Sequence, residues 1–175
     1  MMEGGRALGP ADAAAAVAAV RAYLRIGHDG EDALIESLCE AAAGLCEAFT
    51  RQVLIVREGT ETVAASGRWE RLAAAPVRAI TAVERVGGDG IGVVVQDAGI
   101  DIDPNCDGWV RAGGGGAVRV TVQAGLAADW AGLPEAITHG IVRMAGHLFM
   151  DRDAGRAPPA AVTALWRPWR RLGVL

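Results

Sequence analysis

The chain has 175 residues, 51% of them hydrophobic, so it can bury a core and falls outside the disordered class. Its formal net charge of −4 argues against binding to the DNA phosphate backbone as the main function. Three cysteines without a CxxC spacing do not fit a disulfide framework or a zinc site, so we expect free thiols in a reducing cytoplasm. The apolar run 11–20 is too short to cross a membrane and lacks a cleavage site, so we expect a soluble product with no membrane partner.

Two helices are predicted in the first third of the chain, after a flexible tail over residues 1–9. Pro10 supplies helix-start chemistry for a helix over residues 11–24, and Gly27 ends that stretch. A second helix is predicted over residues 30–50, because apolar residues recur there at helical spacing: Leu34, Ile35, Leu38, Leu45 and Phe49.

The hydrophobic period changes between residues 52 and 123, where short apolar runs alternate with Gly-rich turns. We expect a small antiparallel β region to be inserted here. Strands over 81–86 and 91–96 are predicted to pair as a hairpin. A further strand pair is expected on either side of the run of four glycines at 113–116, which is predicted to form a flexible hairpin tip.

The helical period returns over residues 134–151, which closes a main domain predicted to span residues 10–152. Pro158 and Pro159 interrupt any continuing helix, so residues 153–175 are predicted to form a linker and a C-terminal arm. The order of elements predicts an α+β fold. Its core is mainly helical, with about three helices, and carries the inserted β region and the arm.

Candidate chemistry is sparse. Asp101, Asp103 and Asp107 place oxygen ligands at spacings that resemble a calcium loop, but the Gly and Glu that an EF-hand requires are absent, which favours a solvated turn. His139 and His147 are eight residues apart, too far for an i, i+4 zinc pair. We therefore expect no catalytic residue, cofactor or metal. The alternative left open is a small metal-dependent enzyme or metal-binding domain that uses the three aspartates.

An ordered set of segments resembles the head–tail connector, or adaptor, family of long-tailed phages. The family's opening pattern YLRI-x-HD-x-ED-x-LI is matched by YLRIGHDGEDALI over residues 23–35. Further segments match at PVRAI (76–80), LPEAI (133–137), GHLFMDR (146–152) and WRPWR (166–170). The resemblance covers about residues 10–172. All 17 basic residues are Arg, which is compatible with the version of the family found in a proteobacterial gene transfer agent.

The resemblance implies a non-catalytic structural protein of the virion or phage-like particle, made in the bacterial cytoplasm. It implies a homo-oligomeric ring of twelve copies between the portal protein and a stopper or tail-terminator protein. DNA would pass through the channel of the ring without specific binding. The C-terminal arm is implied to reach the portal.

Partner-binding residues are expected mainly in the arm, because Trp and Arg are enriched in interface hot spots. The expected portal-binding set is Leu165, Trp166, Arg167, Trp169, Arg170, Arg171 and Leu172. Weaker contacts are expected at the two Gly-rich tips, at Gly88, Asp89, Gly90, Gly114 and Gly115. The alternative for the arm is that it folds back onto its own domain.

Overall fold

A β-rich segment interrupts the helical part of the chain. The computed structural model describes residues 3–87, 91–150 and 159–171. A helical unit is formed by Arg6–Ile55 and the described residues from Ala127 onward. A β unit is formed by Val56–Leu126 and the described residues of Met1–Gly5. The predicted α+β class is confirmed.

The helical unit contains four α-helices among the described residues. They are α1 (Pro10–Leu24), α2 (Asp32–Thr50), α3 (Glu135–Met150) and α4 (Ala160–Trp166). The sequence predicted the first three over 11–24, 30–50 and 134–151, and α4 is a further helix inside the predicted arm. Both α1 and α2 end at an arginine in the left-handed conformation, Arg25 (φ 59°) and Arg51 (φ 56°).

The core of this unit lies where α1, α2 and α3 meet. Val20, Ile35, Ile137 and Ile141 are at most 1% exposed, and each such side chain contributes roughly 1.5–3 kcal/mol through burial. Small buried residues beside them, Ala42 and Ala43 among others, let the helix backbones approach closely.

Residues 3–9 do not form the flexible tail that the sequence predicted. Glu3–Gly4 (β1) pairs antiparallel with Arg57–Ala64 (β2). In the helical unit, the Glu40 carboxylate accepts hydrogen bonds from the backbone N–H groups of Ala7 (2.6 Å) and Leu8 (3.1 Å). Leu8 is buried. One carboxylate on α2 therefore satisfies two backbone donors and fixes the chain ahead of α1.

The β unit contains two antiparallel sheets over the described residues. Besides β1 and β2, the strands are β3 (Trp69–Arg71), β4 (Val77–Val86), β5 (Gly92–Val94), β6 (Gly99–Ile102), β7 (Gly108–Arg111) and β8 (Ala117–Ala124). One sheet is five-stranded with the order β1-β2-β8-β4-β5, and the other is three-stranded with the order β3-β7-β6. The central strand β8 buries every second side chain, including Val118, Val120 and Val122.

One predicted strand pairing forms and the other does not. Strands β4 and β5 pair as the expected hairpin, with Glu84 opposite Val94. Strands β7 and β8 flank the glycine run but belong to different sheets, so the prediction of a pair there is wrong. The reason is that β8 already has β2 and β4 as its two neighbours, whereas β7 lies between β3 and β6.

Candidate interaction surfaces

Trp166 anchors α4 to its own helical unit. Its side chain is 3% exposed, and its indole N–H donates to the backbone oxygen of Ile137 (3.4 Å). The Phe49 ring of α2 lies 6.1 Å from the Trp166 ring, centroid to centroid. A Cβ atom at Gly140 would collide with the indole, so the close approach of α4 to α3 requires glycine at that position.

The segment that follows α4 is held against the end of α2. The backbone N–H of Arg171 donates to the Thr50 oxygen (2.9 Å), and the Gln52 side chain donates to the Trp169 oxygen. The Arg170 guanidinium lies 5.7 Å from the centre of the Phe49 ring, within cation–π range. The bond from Arg171 satisfies the Thr50 carbonyl group, which the helix itself leaves unpaired at its C-terminus.

The predicted arm residues thus divide into three groups by burial, with Leu172 outside the described residues. Trp166 is buried in its own unit, which is the folded-back arrangement that the sequence left as an alternative. Leu165, Trp169 and Arg171 are half-buried, while Arg167 and Arg170 are exposed. Residues 160–175 contain three arginines and no acidic residue, so the exposed chemistry of the arm is cationic.

The glycine run between β7 and β8 is tied down rather than free. The Arg85 guanidinium donates to the backbone oxygens of Gly113 and Gly115, each at 2.6 Å. Gly114, Gly115 and Gly116 all have positive φ values between 72° and 91°, a conformation that favours glycine. The other predicted tip residues, Gly88, Asp89 and Gly90, lie outside the described residues.

The calcium-like loop uses its carboxylates to fold a turn. Asp103 accepts hydrogen bonds from the backbone N–H groups of Asn105 (2.8 Å) and Asp107 (3.0 Å), and from the indole N–H of Trp109 (3.2 Å). Asp107 forms an ion pair with Arg71 at 2.9 Å. Within the described ranges, no group of three or more His, Cys, Asp or Glu residues is placed to hold a metal ion. Asp103 and Asp107 are thus engaged within the turn and with Arg71.

Two of the three cysteines are packed in the helical core. Burial, with a smaller contribution from the nearby Glu36 carboxylate, raises the pKa of Cys39 to about 11. Burial raises the pKa of Cys46 further still. Because the thiolate is the reactive form, both thiols behave as small apolar side chains at neutral pH. Cys106 is exposed, on the turn after Asp103.

A cleft of about 530 Å³ lies beside α3, and its described lining is mostly apolar. Tyr23, Met150 and Val162 contribute apolar surface, while Arg143 and His147 contribute polar atoms.

Across the described residues, no helix has both the length and the apolar character needed to cross a membrane.

No protein-family model and no curated protein matches the chain.

Solved structures give a full-length match. The chain is 27% identical to a chain in the neck of an empty gene transfer agent particle computed with C6 symmetry, with a TM-score of 0.81. It is 27% identical to a chain in the neck of a native particle computed with C12 symmetry (TM-score 0.79), and to a chain in the virion of a native gene transfer agent particle (TM-score 0.77). Each match covers 100% of this chain and 97% of the other. The expected resemblance to a gene transfer agent head–tail connector is therefore confirmed.

Proposed function

We propose that this protein is a structural head–tail adaptor of a phage-like gene transfer agent particle. Copies of the chain form a ring, twelve in the complete particle, between the capsid portal and the stopper or tail. The observation that carries the proposal is the end-to-end similarity, at 27% identity, to chains in particle necks computed with cyclic symmetry. The role is non-catalytic, and the ring surrounds a channel for DNA.

The portal contact is assigned to the exposed side of the arm. Because Trp166 is buried in its own unit, the available groups are Arg167, Arg170 and the half-buried Trp169. Arginine forks pair with carboxylates in two parallel hydrogen bonds, so the matching surface on the portal is acidic.

Deleting residues 160–175 is a poor test of this contact. It would remove the buried Val162 and Trp166 and leave the core around Ile137 uncovered. Loss of a buried Trp side chain costs about 3–5 kcal/mol, so the truncated chain could fail by unfolding alone. Charge reversal at exposed arginines leaves the core intact.

We therefore expect Arg167→Glu combined with Arg170→Glu to give a folded protein that does not join heads to tails. Tailed particles counted by electron microscopy should fall at least about tenfold, since hot-spot losses of 2 kcal/mol or more change affinity by that factor. Unfolding free energy should change by about 1 kcal/mol or less, because both side chains are exposed.

The matched control is Arg68→Glu, a charge reversal at an exposed arginine of the β unit. It should leave the count of tailed particles unchanged. Normal numbers of active, tailed particles from the double variant would refute the assignment of the arm to the portal.

A further inference from the structure

We infer that a second copy of this chain packs on an exposed apolar stripe of α2. The α2 stripe consists of Leu34, Leu38, Ala41, Leu45 and Ala48, which recur at the three- and four-residue spacing of one helix face. Leu34 is 52% exposed and Leu45 is 44% exposed, although both are large aliphatic side chains. The inference rests on the proposed ring and names the surface through which neighbouring copies meet.

The opposite side of α2 is already used within the unit. Ile35, Cys39, Ala42 and Cys46 are fully buried against the other helices. The α2 stripe is therefore a second apolar face on the same helix, and a helix that is apolar on two sides is typical of one that is buried on both.

No charge of α2 lies on the stripe, because its four carboxylates are engaged within the helical unit. Asp32 pairs with Arg21 (3.1 Å) and Glu36 with Arg6 (2.8 Å). Glu40 accepts the backbone N–H groups of Ala7 and Leu8, and Glu47 accepts that of Leu54 (2.9 Å). The stripe itself therefore consists of apolar side chains alone, whose burial carries no cost for desolvating a charge.

Helix α1 offers the complementary surface. Its outward side, the α1 stripe, consists of the exposed residues Ala11, Ala14, Ala18 and Ala22. The two charged residues of α1 are held within the unit, since Asp12 accepts the backbone N–H of Trp130 (2.8 Å) and Arg21 pairs with Asp32. Small side chains form a shallow groove into which the leucines of another helix can pack at close backbone distance.

The α1 stripe is as long as the leucine part of the α2 stripe. Leu34 to Leu45 and Ala11 to Ala22 are each eleven positions apart, about 16 Å along a helix. Contact between two different faces is heterologous, and a heterologous contact closes into a ring when the rotation between neighbouring copies divides a full turn. The neck structures that this chain resembles were computed with C6 and C12 symmetry, which is the symmetry that such a contact builds.

The test is photo-crosslinking in assembled particles. Leu45 is replaced by p-benzoylphenylalanine, and particles are assembled from an equal mixture of light and nitrogen-15-labelled protein. Tryptic cleavage after arginine isolates the α1 stripe mainly in peptide 7–21 and the α2 stripe in peptide 26–51. We expect crosslinks between peptides 26–51 and 7–21 that combine one light and one heavy chain.

Two outcomes would overturn the inference while the proposed function stands. Tailed particles whose mixed crosslinks join only 26–51 to 26–51 would indicate a symmetric α2–α2 contact. Crosslinks only to a different protein would show that the α2 stripe contacts that protein and not a second copy of this chain. If the chain is absent from particle necks altogether, the proposed function fails as well, and immunolabelling of the neck distinguishes that case.

A pair of variants gives an independent reading. Leu34→Glu with Leu45→Glu should leave the isolated protein folded and reduce tailed particles at least about tenfold. Ala33→Glu adds a charge at an exposed position on the acidic side of the same helix and should have no such effect. Equal particle counts for the two variants would count against the inference.

Discussion

Cys39 and Cys46 show how the same residue type acquires different chemistry from its surroundings. Both lie in α2 with their side chains fully buried, whereas Cys106 lies on an exposed turn. The sequence indicated free thiols from the odd count and the spacing. The raised pKa values of Cys39 and Cys46 depend on which face of α2 meets the core, and spacing alone does not specify which neighbours lie there.

The buried thiols should make stability fall in alkaline solution. Their pKa values are raised in the folded state, so in the unfolded chain they lose protons at lower pH, near 8.5. Stability is therefore fully present below that pH and is lost as pH rises toward 11. We expect the free energy of unfolding to decrease by about 3–4 kcal/mol between pH 8 and pH 10, for the two thiols together.

Urea denaturation at several pH values measures this effect. The chain has no Lys and one Tyr, so few other groups titrate in this range. The double variant Cys39→Ala with Cys46→Ala should show a flatter dependence on pH. An unchanged slope in that variant would show that other groups cause the loss.

At the scale of elements, the sequence pattern predicted those helices and strand pairs whose contacts join residues close in sequence. The hydrophobic period of α2 and the hairpin of β4 with β5 could be found in this way because their contacts lie close in sequence. The sheet assignment of β7 could not, because it depends on β3, which is distant in sequence. The sequence pattern also could not predict that the glycine run is held in place, since the Arg85 side chain that binds it lies 30 residues away in sequence.

One glycine in the sequence could have predicted that the arm folds back onto its own unit. A Trp near the C-terminus is equally typical of an interface anchor and of a core residue, so Trp166 alone could not decide between the two. Gly140, in the middle of an apolar face of α3, was the available signal. Glycine there leaves room for a large ring from another helix.

Gly140→Ala should therefore dislodge α4. The added methyl group collides with the Trp166 indole and displaces the indole from the core. The stability lost in this way exceeds the gain of up to about 1 kcal/mol in helix propensity for Ala over Gly. We expect a net destabilisation of about 2 kcal/mol and a red shift in Trp fluorescence. Gly44→Ala, at a position in α2 with open space around it, should instead be neutral or stabilising.

Equal stabilisation by Gly140→Ala and Gly44→Ala would contradict the described packing of α4. The comparison is matched, because both substitutions add one methyl group inside a helix. Only the presence of the indole differs between them.

At the scale of the whole molecule, the charge and the proposed position in the particle agree. A chain of net charge −4 disfavours attachment of duplex DNA, which suits the proposed channel for DNA. Arg6, Arg21 and Arg71 are paired with carboxylates, so these three arginines add little free cationic surface.

We expect the isolated protein to bind duplex DNA with a Kd weaker than about 100 µM at moderate salt, measured by fluorescence anisotropy. The control replaces three exposed carboxylates of the β unit, in Glu58→Arg, Asp97→Arg and Asp101→Arg. Each replacement adds two charges, so the net charge changes from −4 to +2. This variant should bind more tightly and lose affinity as salt is raised, because binding then releases counterions. Tight, salt-dependent binding by the unmodified protein would instead indicate that DNA is held by the ring rather than passed through it.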